Sequence, residues 1–121
     1  MARVFLDVNL YIDLTKRAKE KWESLDNELL FISAVSTHIL FYVRKLKVPD
    51  KEIDQVQQRF GIVPLTKELL EKALTGPTSD MEDNIQLHSA IEAECDYFLT
   101  EDKNLLKFRI FGKTRIVASL P

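Results

Sequence analysis

Short apolar runs, separated from one another by segments with helical periodicity, are the feature of this sequence that most restricts its fold. The runs lie at 4–6, 29–32, 61–65, 97–100 and 115–118. A strand that is apolar throughout is buried on both faces, and consecutive parallel strands require helical crossovers. The alternation therefore predicts an α/β fold of three layers, α/β/α, with a central parallel sheet.

The segments between these runs carry apolar residues every three or four positions, which is typical of helices. They cover 10–25, 35–46, 53–60 and 69–74, followed by a helix with Leu87, Ala90, Ile91 and Cys95 on one face. Ser79 and Glu82 precede that last helix with the spacing of a capping box. We therefore expect Ser79 to cap the helix with Glu82 as its partner, and Asp80 to be solvated.

Length and composition agree with one globular domain spanning residues 1–121. Hydrophobic residues make up 45% of the chain and charged residues 30%, which is the balance of a folded domain with one core. No apolar run approaches the roughly 20 residues of a membrane span, and the N-terminus has no signal-peptide layout. The single cysteine, Cys95, excludes an internal disulfide. We expect a cytoplasmic protein that does not associate with membranes.

The net charge of −2 argues against a protein held to nucleic acid by overall basicity. Local contacts with phosphates remain open, because basic residues cluster at 16–21, 44–47 and 107–115. Each cluster taken alone is also explained as the solvated face of a helix.

Three aspartates occupy positions where a site is expected in a parallel sheet. Asp7 closes the first strand and Asp102 lies two residues beyond Thr100, at the end of a later one. Asp83 lies in the first turn of a helix, on its apolar stripe. Ligands of open α/β sheets bind beyond the carboxyl ends of the strands. Three carboxylates meeting there repel one another, and a hard cation such as Mg²⁺ or Mn²⁺ converts that repulsion into binding.

Each aspartate taken alone has a simpler explanation as a helix cap or turn residue. Asp102, for example, is placed to cap a short helix over 103–107. The joint placement of Asp7, Asp83 and Asp102 favours a metal site over three separate caps. The reaction that such a site predicts is metal-assisted hydrolysis of a phosphodiester.

At these residues the chain resembles the PIN domain family, in particular the branch found among toxin–antitoxin proteins. The segments that carry the resemblance are Arg3-Val-Phe-Leu-Asp-Val-Asn9, Glu82-Asp-Asn-Ile-Gln86 and Asp96-Tyr-Phe-Leu-Thr-Glu-Asp102. They follow one another in the order and spacing of the family, nearly from end to end. The resemblance implies a single PIN-like domain with a three-layer α/β/α fold.

The resemblance also implies an activity and its residues. Family members are Mg²⁺- or Mn²⁺-dependent ribonucleases, many are toxins silenced by an antitoxin, and family members often form homodimers. By matched position, Asp7, Asp83 and Asp102 are expected to be the catalytic, metal-binding carboxylates. Asn9 and Thr100 match polar residues that line the site. The basic residues at 16–21 and 44–47 are expected to guide the RNA backbone.

One position departs from the family pattern. Most members carry a glutamate on the helix after the second strand, and Ile39 stands there in this chain. Asp13 is a candidate to replace part of the lost charge, because Asn9 and Asp13 are four residues apart and share a helix face. His38 is expected to be a surface or partly buried residue, and Cys95 part of the core.

Two functions follow, and the sequence leaves both open. The first is a metal-dependent endoribonuclease, the toxin of a toxin–antitoxin pair. The alternative is a catalytically weak or inactive PIN-like module that binds RNA or a protein partner, as the missing glutamate and the mildly acidic charge suggest. The three retained aspartates favour the enzyme.

Overall fold

The structure is a computed structural model that describes residues 1–16 and 23–121. Part of the helix predicted over 10–25 and of the basic cluster at 16–21 lies outside the described residues. The residues concerned are Arg17, Ala18, Lys19, Lys21 and Trp22. The described helices are α1 (Val8–Lys16), α2 (Ala34–Val43), α3 (Lys51–Gln57), α4 (Lys67–Thr75), α5 (Met81–Glu92) and α6 (Lys103–Leu106). The described strands are β1 (Arg3–Leu6), β2 (Leu29–Ser33), β3 (Phe60–Val63), β4 (Tyr97–Leu99), β5 (Ile110–Phe111) and β6 (Thr114–Val117).

The strands form one sheet in the order β3-β2-β1-β4-β6-β5. The chain builds outward from β1 through β2 to β3, then returns to place β4 on the other side of β1. Both neighbours of β1 are parallel to it, with Phe5 opposite Phe31 on one side and Phe98 on the other. The direction of winding reverses between β1 and β4, and such a reversal opens a crevice at the carboxyl ends of the two strands.

Alternate residues of β1 enter two separate cores. Val4 and Leu6 pack with Tyr11, Leu14 and Leu40. Phe5 faces the opposite side, where the second core contains Leu69, Ala73, Leu87, Ala90 and Phe98. The rings of Phe5 and Phe98 stack with their centroids 5.4 Å apart. The predicted three-layer α/β/α fold with a central, mostly parallel sheet is confirmed, and it is the PIN-like arrangement.

The sheet is not parallel throughout. β5 pairs with β6 in the antiparallel sense, and Gly112 lies in the turn between them with φ of 61°. Positive φ is readily adopted by glycine, so this residue suits a tight hairpin. The two-residue β5 is too short for its apolar pattern to be distinguished from a loop by sequence alone.

Two helix boundaries and one helix face differ from the predictions. The first boundary is the end of α2, which lies at Val43 rather than at position 46. Phe60 begins β3 rather than ending the preceding helix, which stops at Gln57. On α2 the buried residues are Ser36 and Leu40, whereas Tyr42 is 80% exposed and Val43 57%. The helical periodicity of 35–46 predicts an apolar, buried stripe that includes Tyr42 and Val43, and for these two residues that prediction is wrong. Most residues of α2 are apolar, so the pattern does not define which side faces the sheet.

The predicted capping box at the start of α5 is also wrong. Asp80, not Ser79, is the N-cap, and its Oδ1 accepts a hydrogen bond of 2.9 Å from the Asp83 backbone N–H. Thr78 Oγ1 in turn accepts from the Asp80 N–H at 3.0 Å. Serine and aspartate are both good caps, so local sequence does not decide between adjacent residues.

Candidate metal site at the carboxyl edge of the sheet

The crevice between β1 and β4 is closed at its base by a hydrogen bond between two buried side chains. Thr100 Oγ1 donates to Asp7 Oδ2 at 2.6 Å, and both residues are buried, at 0% and 4% exposure. The Asp7 backbone N–H donates to Leu99 O at 3.0 Å, which continues the pairing of the two strands. Asp7 and Thr100 are thus brought together at the point where the strand order reverses.

The Thr100 hydroxyl also links Asp7 to Asp102. Its oxygen accepts a hydrogen bond of 3.0 Å from the Asp102 backbone N–H. Asp102 Oδ1 accepts from the N–H groups of Asn104 and Leu105 and caps α6. The simpler explanation of Asp102 as a helix cap is therefore confirmed.

A cavity of about 320 Å³ lies over these strand ends. It is lined by Asp7, Asn9, Leu10, Asp13, Glu101 and Asp102. Asn9 and Asp13 both line it, which confirms that they share a face of α1. Glu101 was not among the predicted residues, although it directly precedes Asp102 in the loop after β4. Position in that loop is the sequence signal that identifies it.

Asp83 does not line this cavity but is coupled electrostatically to it. It is half-buried in the first turn of α5. Burial is the largest cause that raises its pKa, from 3.8 to about 6, followed by repulsion from Asp80, Asp7 and Asp102. The pKa of Glu82 is raised by burial, then by Asp80 and Asp7. The start of α5 therefore lies within electrostatic reach of Asp7.

The surroundings of Asp7 include groups that raise its pKa and groups that lower it. Burial is the largest influence and raises its pKa, and the charge of Asp102 adds to the increase. Hydrogen bonds from the Thr100 hydroxyl and the Asn9 backbone N–H oppose this by stabilising the charged form, and the Gln86 side chain acts in the same direction. The site thus keeps a carboxylate in a buried position by surrounding it with donors.

Gln86 is a site residue to which the sequence analysis assigned no role. It is 2% exposed, and its Oε1 accepts a hydrogen bond of 2.6 Å from the backbone N–H of Val8, at the start of α1. Its Nε2 is buried without a hydrogen-bond partner among the described residues. The available signal was a polar side chain between Ile85 and Leu87 on a helix that packs against the sheet.

The donor set suits a hard cation but is not preassembled. Carboxylate and amide oxygens are the ligands that Mg²⁺ and Mn²⁺ prefer. Within residues 1–16 and 23–121, no three His, Cys, Asp or Glu side chains form a group ready to hold a metal ion. Mg²⁺ is usually bound through one or two carboxylates and keeps several waters, which is compatible with this arrangement. The metal-ligand roles of Asp7, Asp83 and Asp102 stay predictions.

The other residues considered from the sequence lie elsewhere. Ile39 is half-buried, and His38 is exposed beside a separate, mostly apolar cavity. His88 Nε2 is 2.9 Å from Gly76 O, and its ring packs on Phe111. Cys95 is buried in the core, and burial raises the pKa of its thiol to about 12, which makes it a poor nucleophile.

Comparison with known proteins extends the description of the fold. No family model matches the chain, and no curated protein matches it in sequence. Among solved structures, it is similar to a chain of the VapBC2 crystal structure from Rickettsia felis, bound to a DNA fragment from their promoter. The TM-score is 0.69 and the identity 16%, over 95% of this chain and 97% of that chain. The TM-score over nearly the whole of both chains establishes a shared fold, and at this identity the likeness extends to the fold alone.

Within the described residues, the helices include none that is long and apolar enough to cross a membrane.

Proposed function

We propose that this chain is a divalent-metal-dependent endoribonuclease, and that it is the toxin of a toxin–antitoxin pair. The observation that carries the proposal is the acidic cavity at the strand-order reversal. Its lining combines four carboxylates, those of Asp7, Asp13, Glu101 and Asp102, with the Asn9 amide. Among the described residues no cationic side chain lines it. Carboxylates gathered in one cavity repel one another, and a divalent cation converts that repulsion into binding.

In this proposal some residues of the site bind the cation and others position those ligands. Asp7 and Asp102 hold Mg²⁺ or Mn²⁺ from the ends of β1 and β4, and Asp83 contributes from α5. Thr100 fixes the Asp7 carboxylate through its hydroxyl, and Asn9 and Asp13 extend the polar wall of the cavity along α1. A bound divalent ion supplies an activated water and neutralises charge that develops on the phosphoryl group.

The RNA substrate must reach an acidic cavity on a chain of net negative charge. Arg44 is tied to α1 through a hydrogen bond of 3.0 Å from its Nη1 to Thr15 Oγ1. Lys45 and Lys47 are exposed beside it. We propose that this group contacts RNA phosphates, so that raising the salt concentration weakens RNA binding. A flat salt response would exclude phosphate contacts.

The toxin role rests on the PIN-like motifs and is supported by the likeness of the fold to VapBC2. It implies an antitoxin protein as partner. A homodimer and a cytoplasmic location belong to the same proposal.

The alternative function, a non-catalytic PIN-like module that binds RNA or a protein partner, is favoured by two observations. Ile39 stands at the position of the family's usual glutamate, and the described carboxylates do not form a preassembled ligand set. Cleavage of RNA distinguishes the enzyme from the module.

The deciding experiment is an RNA cleavage assay with Mn²⁺ or Mg²⁺, with chelator, and with the Asp7→Asn variant. The proposal expects cleavage that chelator abolishes and that falls by at least two orders of magnitude in Asp7→Asn, because the buried ligand loses its charge. Glu71→Gln is the matched control, since it makes the same change from carboxylate to amide on the exposed face of α4. Cleavage that survives both chelator and Asp7→Asn would refute the mechanism. RNA binding without cleavage would favour the module.

A further inference from the structure

Gln86 joins α5 to the start of α1 in the interior of the protein. The amide is fully buried, and its Oε1 accepts from the Val8 backbone N–H at 2.6 Å. Val8 directly follows Asp7, so the Gln86 side chain lies against the backbone that carries the Asp7 carboxylate. The two residues are 78 positions apart in the sequence.

The bond to Val8 fixes which way the amide is oriented. A backbone N–H can only donate, so the atom facing Val8 must be the oxygen, and the NH₂ group must face away from it. That NH₂ group has no partner among the described residues. Leaving a buried donor unpaired costs free energy, so native structures rarely keep one without a reason.

The Asp7 carboxylate directly precedes the Val8 N–H that Gln86 contacts, and it is the acceptor that we assign to this donor. Gln86 is among the side chains that stabilise its charged form, and Oδ2 of the same carboxylate is already held by Thr100 at 2.6 Å. We propose that Gln86 is a positioning residue, which holds the Asp7 carboxylate from the α5 side while Thr100 holds it from the β4 side, so that its remaining lone pairs face the cation.

This inference rests on the proposed function, because it assigns Gln86 a part in holding the cation that the nuclease requires. Groups that orient a metal ligand without touching the metal commonly change metal affinity by 10- to 100-fold when they are removed. Gln86 is expected to act in this way on Asp7.

The first test is the affinity of the metal-free protein for Mn²⁺, measured by titration calorimetry. Gln86→Met keeps the size of the side chain and removes both hydrogen-bonding groups. Ser89→Ala is the matched control, because Ser89 is equally buried on α5 and its hydroxyl donates to Ile85 O within the helix. We expect Mn²⁺ to bind Gln86→Met about 10- to 100-fold more weakly, and Ser89→Ala as tightly as wild type.

The second test needs no metal. If the Gln86 NH₂ group acts on the Asp7 carboxylate, the shifts in unfolding midpoint caused by Gln86→Met and Asp7→Asn will not add in the double variant. The pair Ser89→Ala and Asp7→Asn will add. Should Gln86→Met fail to fold, Gln86→Glu keeps an oxygen for the Val8 N–H. Its destabilisation is then expected to be partly relieved by Asp7→Asn.

The outcomes separate the two proposals. Wild-type affinity for Mn²⁺ in Gln86→Met, or additive shifts in the double variant, would overturn the role of Gln86 and leave the nuclease proposal standing. A wild-type protein that binds no divalent cation would overturn the proposed function, and with it the positioning of Asp7 for a cation, even if the shifts were non-additive.

Discussion

The Thr100 side chain shows how much of this site depends on single hydrogen bonds. Its hydroxyl donates to the Asp7 carboxylate and accepts from the Asp102 backbone N–H. One oxygen atom therefore sets the relative placement of two predicted metal ligands. Because both Asp7 and Thr100 are buried, losing this bond leaves a buried charged acceptor short of a donor.

Replacing Thr100 by valine keeps the shape of the side chain and removes this bond. We expect Thr100→Val to destabilise the protein by about 1–3 kcal/mol, the cost of leaving a buried charged acceptor short of a donor, and to weaken Mn²⁺ binding. Chemical denaturation and calorimetry measure the two effects. Thr114→Val is a suitable control, because the Thr114 hydroxyl is also buried but donates to Cys95 O. An equal loss of Mn²⁺ affinity in both variants would contradict the role of Thr100.

Asp83 makes the stability of the metal-free protein depend on pH. Its pKa rises from 3.8 to about 6 on folding, so the folded form binds more protons than the unfolded chain between these values. Stability therefore falls as pH rises through this window, and the loss is complete above about pH 6. Asp7 and Glu82 also have raised pKa values and contribute in the same direction.

Asp83→Asn is expected to flatten this dependence and to be more stable than wild type at pH 7 in the absence of metal. Thermal unfolding from pH 4 to pH 8 measures it, with Glu71→Gln as the control that makes the same change from carboxylate to amide on an exposed helix face. If stability depended on pH as steeply in Asp83→Asn as in wild type, the titration of Asp83 would not be the cause of the pH dependence.

At the scale of elements, the start of α5 determines where Asp83 lies. Asp80 caps the helix through the Asp83 backbone N–H, while Thr78 and Asn84 hold the preceding turn. Asn84 Oδ1 accepts from the Thr78 backbone N–H and hydroxyl at 2.9 and 2.7 Å. The first turn of α5 is therefore ordered by its own polar contacts before any cation is considered.

The identity of the cap is directly testable. We expect Asp80→Ala to lower the free energy of unfolding by about 0.5–2 kcal/mol, because the first turn loses an acceptor. Ser79→Ala is expected to lower it by at most about a few tenths of a kcal/mol. Asp80→Asn retains a cap and should be close to wild type. The free energy of unfolding, measured with denaturant, distinguishes them. A larger loss in Ser79→Ala than in Asp80→Ala would restore the capping box that the sequence suggested.

At the scale of the whole molecule, the strand order converts scattered acidic residues into one cavity. β1 lies at the centre of the sheet with β2 and β4 on either side, so the loops after β1 and β4 meet although Asp7 and Thr100 are 93 residues apart. The two cores on opposite faces hold these strands in register. The cavity is therefore a consequence of the topology and not of any local motif.

A cation that binds only the native state must raise the stability of the whole domain. At a Mn²⁺ concentration 100 times its dissociation constant the gain is about 2.7 kcal/mol. We expect the unfolding temperature to rise with Mn²⁺ concentration in wild type, to rise less in Asp83→Asn, and to rise as in wild type in Glu71→Gln. No change with any divalent ion would favour the non-catalytic module.

The sequence was sufficient for features that depend on local periodicity and on chain order. Apolar runs such as Val4-Phe5-Leu6 must be buried on both faces, and the helical segments between them require a mostly parallel sheet. Asp7 and Asp102 were identified for the same reason, since each follows a strand and such loops lie at one edge. The exception was β5, because two residues are too few to show the apolar pattern of a strand.

The tertiary structure decided which side chains meet. Glu101 joins the cavity, Gln86 reaches the start of α1, and Asp80 rather than Ser79 caps α5. In each case the sequence offered several equivalent polar residues. For Glu101 and Gln86 the choice depended on contacts between segments far apart in the chain, whereas for the cap of α5 it lay between two adjacent residues with similar capping propensity. Periodicity reports the environment of a residue along its own element, whereas the partner across the crevice is determined only when the strands are packed in their final order.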